Sequence, residues 1–406
     1  MNKRRGTLAG LLSLLGCMFA VLGFAAGINA FFIPFVKDAF MISTGMSYLV
    51  MTATYSAFII FGIPTGVILK KIGYKGGMAV GIVLIGLGFL LIGVAGGMVN
   101  FSAFLIALFI SGVGQCLLTG AQSTYVVIIG SKENALRRGA IMGICHKTAF
   151  AAASLILSGF LDLVNVNIEE VIFPFYIISA IMVFLGIATF FAPFPEIDED
   201  IKDSRPSSEN LAPTSTQTSI FQFPHLFLGF FALFLYIGAE FIVLGSINDY
   251  AAALNLPHAA NYIWLVSGGM VIGYIIGIVL TPKYITLRQA LVIFANLGII
   301  TTILIYITPN EINIYLVGFL GLANSLLYSS IWPLAISGLG KFTKIGTSVL
   351  VMAITGGAVI PLLFGHIVEF YSYKDAYLIC LPIFIFTLYY GVFGYKVRRF
   401  FWQKLH

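Results

Sequence analysis

Glu196–Ser219, EIDEDIKDSRPSSENLAPTSTQTS, is the one long polar stretch in an otherwise strongly apolar chain. It is acidic, rich in Ser and Thr, and interrupted by Pro206 and Pro213. Such a composition cannot bury a core, so it predicts a flexible linker over 195–221. The flanking sequence reads as runs of about 20 apolar residues, the length that crosses a hydrocarbon core of roughly 30 Å as a helix. Six runs precede the linker, near 8–34, 45–69, 77–96, 102–129, 138–161 and 171–194. Six follow it, near 225–250, 260–281, 289–307, 312–338, 344–368 and 375–396. The expected fold is an all-α polytopic membrane protein of twelve transmembrane helices in two six-helix bundles. The bundles are expected over 1–194 and 222–406, with inverted repeats inside each half.

Composition agrees with this layout. The 406 residues are 59% hydrophobic and only 9% charged, and the mean hydropathy is +1.01. A soluble globular protein is excluded. The net charge of +6 comes from basic residues dispersed in short loops rather than gathered on one face, which argues against a nucleic-acid partner. Met1–Arg5 looks like the basic start of a signal peptide. The apolar run behind it is too long and lacks a small-residue cleavage site, so it reads as a retained first span. Cys17, Cys116, Cys145 and Cys380 fall within spans at no metal-ligand spacing and read as small buried hydrophobes.

Orientation follows from the loops. Of 22 Lys and Arg, Lys37 and Lys374 fall on one side and Lys147 falls inside a span; the other 19 fall on the opposite side. The positive-inside rule then places both termini in the cytoplasm, with the chain in a bacterial cytoplasmic membrane.

Two charges stand out at bilayer depth. Lys147 lies about nine residues, or roughly 13 Å, into the fifth span, beyond easy snorkelling. Glu240 sits mid-span in the run Ala232–Tyr250, ALFLYIGAEFIVLGSINDY. A charge at such depth costs at least about 2.5–3.5 kcal/mol and persists where it faces a cavity, a partner or a transport pathway. His146, beside Lys147, adds a group that titrates near neutrality. Glu240, His146 and Lys147 are therefore the candidates for coupling to an ion, against the plainer reading of a structural pair that fixes helix register. The remaining polar residues at depth are uncharged: Asn29, Gln115, Gln122, Asn324 and Ser325. Amides offer paired donors and acceptors that suit a neutral polyhydroxylated ligand, and interhelical hydrogen bonding is the alternative for any one of them. Trp332, with Tyr328, Tyr125 and Tyr236, offers ring faces for a sugar. No phosphate-binding loop, zinc motif or nucleophile motif occurs, so neither an enzyme nor an ATP-driven pump is expected.

Several segments carry a family resemblance. Gly62–Gly81, GIPTGVILKKIGYKGGMAVG, resembles the inter-span signature of the major facilitator superfamily, with Lys70 near the place of its usual acidic residue. Gly114–Gly130, Met142–Ala149 (MGICHKTA), Phe223–Glu240 and Ala323–Gly365 are similar to the fucose:proton symporter family, in its glucose/galactose permease branch. The resemblance implies a permease importing a neutral sugar, a hexose such as glucose, galactose or fucose. It also implies H+ or Na+ symport, alternating access, a monomer and no cofactor. Asn29, Gln115, Gln122, Lys147, Asn324, Ser325 and Trp332 are then the expected sugar contacts. The chain departs from the family at four places. The family's Asn-Asp is Asn29-Ala30 here, its fourth-span glutamate falls near Leu118 and Thr119, its Asn-Pro is Ser123-Thr124, and its Cys-Asn-Lys is Cys145-His146-Lys147. Either His146, Lys147 and Glu240 take over coupling, or the protein is a facilitator. An exporter or carrier of another small polar metabolite is the alternative cargo reading.

Overall fold

The structure is a computed structural model and describes residues 2–42, 46, 49–158, 168–195, 219–258 and 261–397. The middle of the expected linker, 196–218, lies outside the described residues. Helices and short 3-10 turns account for the regular structure, with no strand among the described residues. By contact the chain forms two compact units. One comprises Met1–Val126 with Ile144–Ile197, and the other comprises Val127–Gly143 with Asp198–His406.

The first unit is built from α1 (Asn2–Ala39), α2 (Leu49–Gly97), α3 (Phe101–Ile128), the later part of α4 (Ala135–Ser158) and α5 (Ile172–Phe191). α2 is two spans joined at a corner. Gly73 has φ 72° and ψ 177° there, a left-handed conformation that glycine adopts at no steric cost. Lys70, Lys71 and Lys75 surround this corner, as the basic inter-span turn requires. Without a hydrophobic force between helices in lipid, small residues let backbones approach and pack. Gly114 on α3 is so close to α2 that a Cβ there would lie 2.6 Å from the Gly81 carbonyl oxygen. Ser179 on α5 donates to the Gly86 carbonyl at 2.7 Å. Phe32, Phe89, Phe104 and Phe175 close the unit with edge and stacked ring contacts.

The second unit carries α6 (Pro224–Ala253), α7 (Ile263–Leu280), α8 (Leu287–Ile307), α9 (Asn310–Asn324), α10 (Leu327–Ile336), α11 (Thr343–Met352), α12 (Gly356–Phe370) and α13 (Cys380–Val392). The tenth and eleventh expected spans are each one apolar stretch, Ile312–Ile336 and Gly340–Phe370, with a local interruption of the α-helical pattern inside. The tenth breaks between α9 and α10 at Ser325–Leu326, and the eleventh breaks between α11 and α12 at a 3-10 turn, Ala353–Thr355. The backbone keeps right-handed helical angles through both places, so each is a local tightening within one span. Gly356, just after the second break, sits against the Phe234 carbonyl of α6 with no room for a side chain.

Ten stretches among the described residues are long and apolar enough to cross a membrane. Splitting Leu49–Gly97 at Gly73 makes eleven. The fifth expected span, near 138–161, is described only as far as Ser158 and is not among these stretches. Large apolar side chains such as Ile59, Ile63, Phe184, Ile272 and Ile300 point outward, as they do where lipid rather than water is the solvent.

Candidate functional site

In the first unit, α1 and α3 each place an amide in the interior. Asn29 and Gln122 are both 0% exposed. Neither side-chain heteroatom of either residue finds a hydrogen-bond partner among the described residues. An unsatisfied buried polar group costs about 1–3 kcal/mol, so two amides held this way mark a place where a partner is missing. Gln115 stands seven residues before Gln122, on the same face of α3. Its amide differs from the others, because Nε2 donates to Ser111 Oγ at 3.2 Å within the helix. Thr119 Oγ1 caps the Gln115 carbonyl at 2.7 Å.

α4 brings His146 and Lys147, both half-buried. Its seat on α1 is set by glycine. A side chain at Gly23 would strike the His146 carbonyl oxygen, one at Gly27 would strike the Phe150 carbonyl, and a Cβ at Gly16 would lie 3.2 Å from Cys145 Sγ. The spacing 16, 23, 27 is a helical stripe of period near 3.6. It presses the Cys145–Phe150 backbone onto α1. Lys147 Nζ lies 5.9 Å from the Phe150 ring centroid, inside the range of a cation–π attraction.

In the second unit, α6 carries Glu240, 4% exposed, with Tyr236 one turn before it. Tyr274 on α7 and Tyr328 on α10 complete the surroundings. Tyr236 and Tyr274 both interact electrostatically with Glu240 and with Tyr328, and Tyr236 also with Tyr274. The Tyr236 hydroxyl lies within interaction range of the carboxylate, yet no hydrogen bond of good geometry closes on it. Two phenols, Tyr236 and Tyr274, thus interact with the carboxylate, and Tyr328 interacts with both phenols. Phenols so placed can donate to a carboxylate or turn toward the hydroxyls of a ligand.

The break between α9 and α10 supplies the rest. Asn324 ends α9, is 0% exposed, and leaves both amide heteroatoms without a partner among the described residues. Ser325 is committed elsewhere, with Oγ donating to the Leu322 carbonyl at 2.8 Å and lying where a side chain on Gly273 would fall. Trp332, 1% exposed, lies against Tyr328 in a tilted ring contact, 5.5 Å between centroids and 30° between planes. Glu240, Asn324, Tyr328 and Trp332 therefore belong to one unit and Asn29, Gln115, Gln122, His146 and Lys147 to the other. Sequence reading did not single out Tyr274. It sits in a Gly-rich apolar run, GGMVIGYIIG, where a tyrosine carries no signal until its neighbours are known.

The profile of the Major Facilitator Superfamily matches residues 15–355. The chain belongs to that superfamily. Its relatives within the superfamily include a glucose/galactose transporter of Brucella abortus biovar 1 (strain 9-941), 30% identical over 397 residues covering 95% of this chain and 94% of the relative. The L-fucose-proton symporter of Escherichia coli (strain K12) is 25% identical over 388 residues, covering 87% of this chain and 86% of that one. The solved structure of the E. coli fucose:proton symporter FucP matches with a TM-score of 0.80 at 22% identity, over 95% of this chain and 99% of that chain. At that identity the structural match establishes the facilitator fold.

Proposed function

We propose that this facilitator carries a neutral sugar, a hexose such as glucose, galactose or fucose, into the bacterial cytoplasm by alternating access with H+ as co-ion. The two bundles are assigned to 1–194 and 222–406, joined by the linker 195–221, with both termini cytoplasmic and the monomer as the working unit. One observation carries the reading: Asn29, Gln122 and Asn324 are fully buried amides whose donors and acceptors have no protein partner. A polyhydroxylated, uncharged cargo completes such groups without adding a charge. The named relatives, a glucose/galactose transporter and an L-fucose-proton symporter, agree in cargo class.

Asn29, Gln122 and Asn324 bind sugar hydroxyls in this scheme, and Trp332 with Tyr328 offers a ring face to the sugar's apolar side. Gln115 and Ser325, already hydrogen-bonded within their helices, shape the walls. Glu240, beside the phenols of Tyr236 and Tyr274, takes and releases the proton, and Lys147 with His146 tunes the first bundle's charge during the cycle. Sugar uptake by proteoliposomes, with and without an imposed pH or sodium gradient, is the test. Uphill accumulation driven by the proton gradient supports symport, and the absence of any hexose movement overturns the reading. The pair Asn29-Ala30, where the resembling family carries Asn-Asp, favours a second reading as an uncoupled facilitator, for which the same experiment gives equilibration alone.

A further inference from the structure

The turn that opens α8 holds a groove that the transport scheme leaves unused. Ile285, Arg288, Gln289, Val292 and Ile293 line an open cavity of about 430 Å³. Its lining is divided in kind: Arg288 and Gln289 are polar, and Ile285, Val292 and Ile293 are aliphatic. The aliphatic part does not stop at the groove. Ile293, Ile300 and Ile307 follow at intervals of seven, and they are 49%, 55% and 65% exposed. They form a strip up the outer face of α8.

The polar end is cationic. Arg288 spends its Nε on the Gly391 carbonyl at 3.3 Å, and its guanidinium stands 5.6 Å from the Tyr395 ring. Lys396 Nζ lies 5.6 Å from the same ring. Lys283, in the turn before the groove, lies 4.9 Å from the Tyr284 ring. No carboxylate among the described residues pairs with Lys283, Arg288 or Lys396. Gln289 uses its Oε1 to close the α8 capping box, accepting from Thr286 N at 2.8 Å and Thr286 Oγ1 at 3.0 Å. Its Nε2 keeps two protons for an outside acceptor.

Basic loop residues are expected on this side of the membrane simply to fix orientation. That role needs neither a groove nor an aliphatic wall. A free inorganic anion would use only the polar end, and a neutral lipid only the apolar one. We infer that the groove at the start of α8 binds an anionic phospholipid, its phosphodiester on Arg288 and Gln289 with Lys396 alongside, and one acyl chain along Ile285, Val292, Ile293 and Ile300. Guanidinium to phosphate is the strong charge-assisted contact in this arrangement, and basic pockets at the cytoplasmic surface recognise anionic headgroups in this way.

The full chain, purified and delipidated, tests this by native mass spectrometry after exposure to equal phosphatidylglycerol and phosphatidylcholine. Wild-type protein should retain one phosphatidylglycerol with about tenfold preference. Arg288→Gln should lose the preference. Val292→Trp, which fills the groove and leaves every charge in place, should lose the lipid as well. Equal retention of the two lipids overturns the inference without any variant being needed, so a misfolded mutant does not blunt the test. Full displacement of the lipid by millimolar glycerol phosphate also overturns it, because the site would then be one for a free anion. Retention is read without sugar, so failure here leaves the transport scheme untouched and failure of that scheme leaves this test intact.

Discussion

Tyr236 precedes Glu240 by one turn of α6, and its hydroxyl stands within interaction range of the carboxylate without closing a well-formed hydrogen bond on it. A buried carboxylate beside a buried phenol is a contact whose strength changes when the carboxylate gains or loses a proton.

If Glu240 handles the coupled proton, Glu240→Gln should abolish accumulation against a gradient and leave sugar exchange largely intact. Proteoliposomes reconstituted with the variant should equilibrate labelled hexose and exchange it within a few-fold of wild type. Retained uphill uptake under a proton gradient would remove Glu240 from the coupling role.

Gln122 offers a test in which stability and function move in opposite directions. Its amide is buried with both heteroatoms unpartnered, and removing an unsatisfied polar group is neutral or stabilising. Gln122→Leu should therefore melt at the same temperature or higher without sugar, and bind sugar about tenfold more weakly. A variant that loses stability and keeps its affinity would show a structural amide instead.

Glycine at position 23 is required by contact, since any side chain there meets the His146 carbonyl. Gly23→Leu should lower thermal stability in detergent by several degrees and reduce uptake, because it lifts α4 and its Lys147 off α1. Gly10→Leu, on the same helix with nothing within 4 Å of an added Cβ, is the control and should melt with wild type.

The Tyr250 hydroxyl donates to Asn313 Oδ1 at 2.6 Å, joining α6 to α9 away from the proposed sugar contacts. Tyr250→Phe should cost about 1 kcal/mol of stability, read as a modest fall in melting temperature, and leave sugar affinity unchanged. A change in affinity with unchanged melting would move Tyr250 into the binding machinery.

Much of the architecture was legible because the bilayer imposes length and apolarity on every span. What the sequence does not show is the local interruption of the helix at Ser325–Leu326 and at Ala353–Thr355, which look like any other span interior. Site residues divide the same way. Glu240 and Lys147 announce themselves by their cost in lipid, and Asn29, Gln122 and Asn324 by polarity. Nothing in the spacing separates Gln115, bonded to Ser111 in its own helix, from Gln122, whose amide has no hydrogen-bond partner among the described residues. Tyr274 gains meaning only from Glu240 on a neighbouring helix. Pairwise satisfaction of polar atoms is a tertiary property and cannot be read along one strand of text.

The break after Asn324 also bears on how the chain is made. α9 and α10, with 15 and 10 residues, are about 22 Å and 15 Å long, and each alone is shorter than the hydrocarbon core. Among the ten apolar stretches of the described residues, Ile312–Ile336 is also the least hydropathic and the most enclosed by protein. This segment should therefore partition into lipid less readily by itself than the other nine, and gain more from helices already inserted around it. The low hydropathy of the span that carries Asn324 thus makes insertion of the second bundle sensitive to the order in which its helices meet.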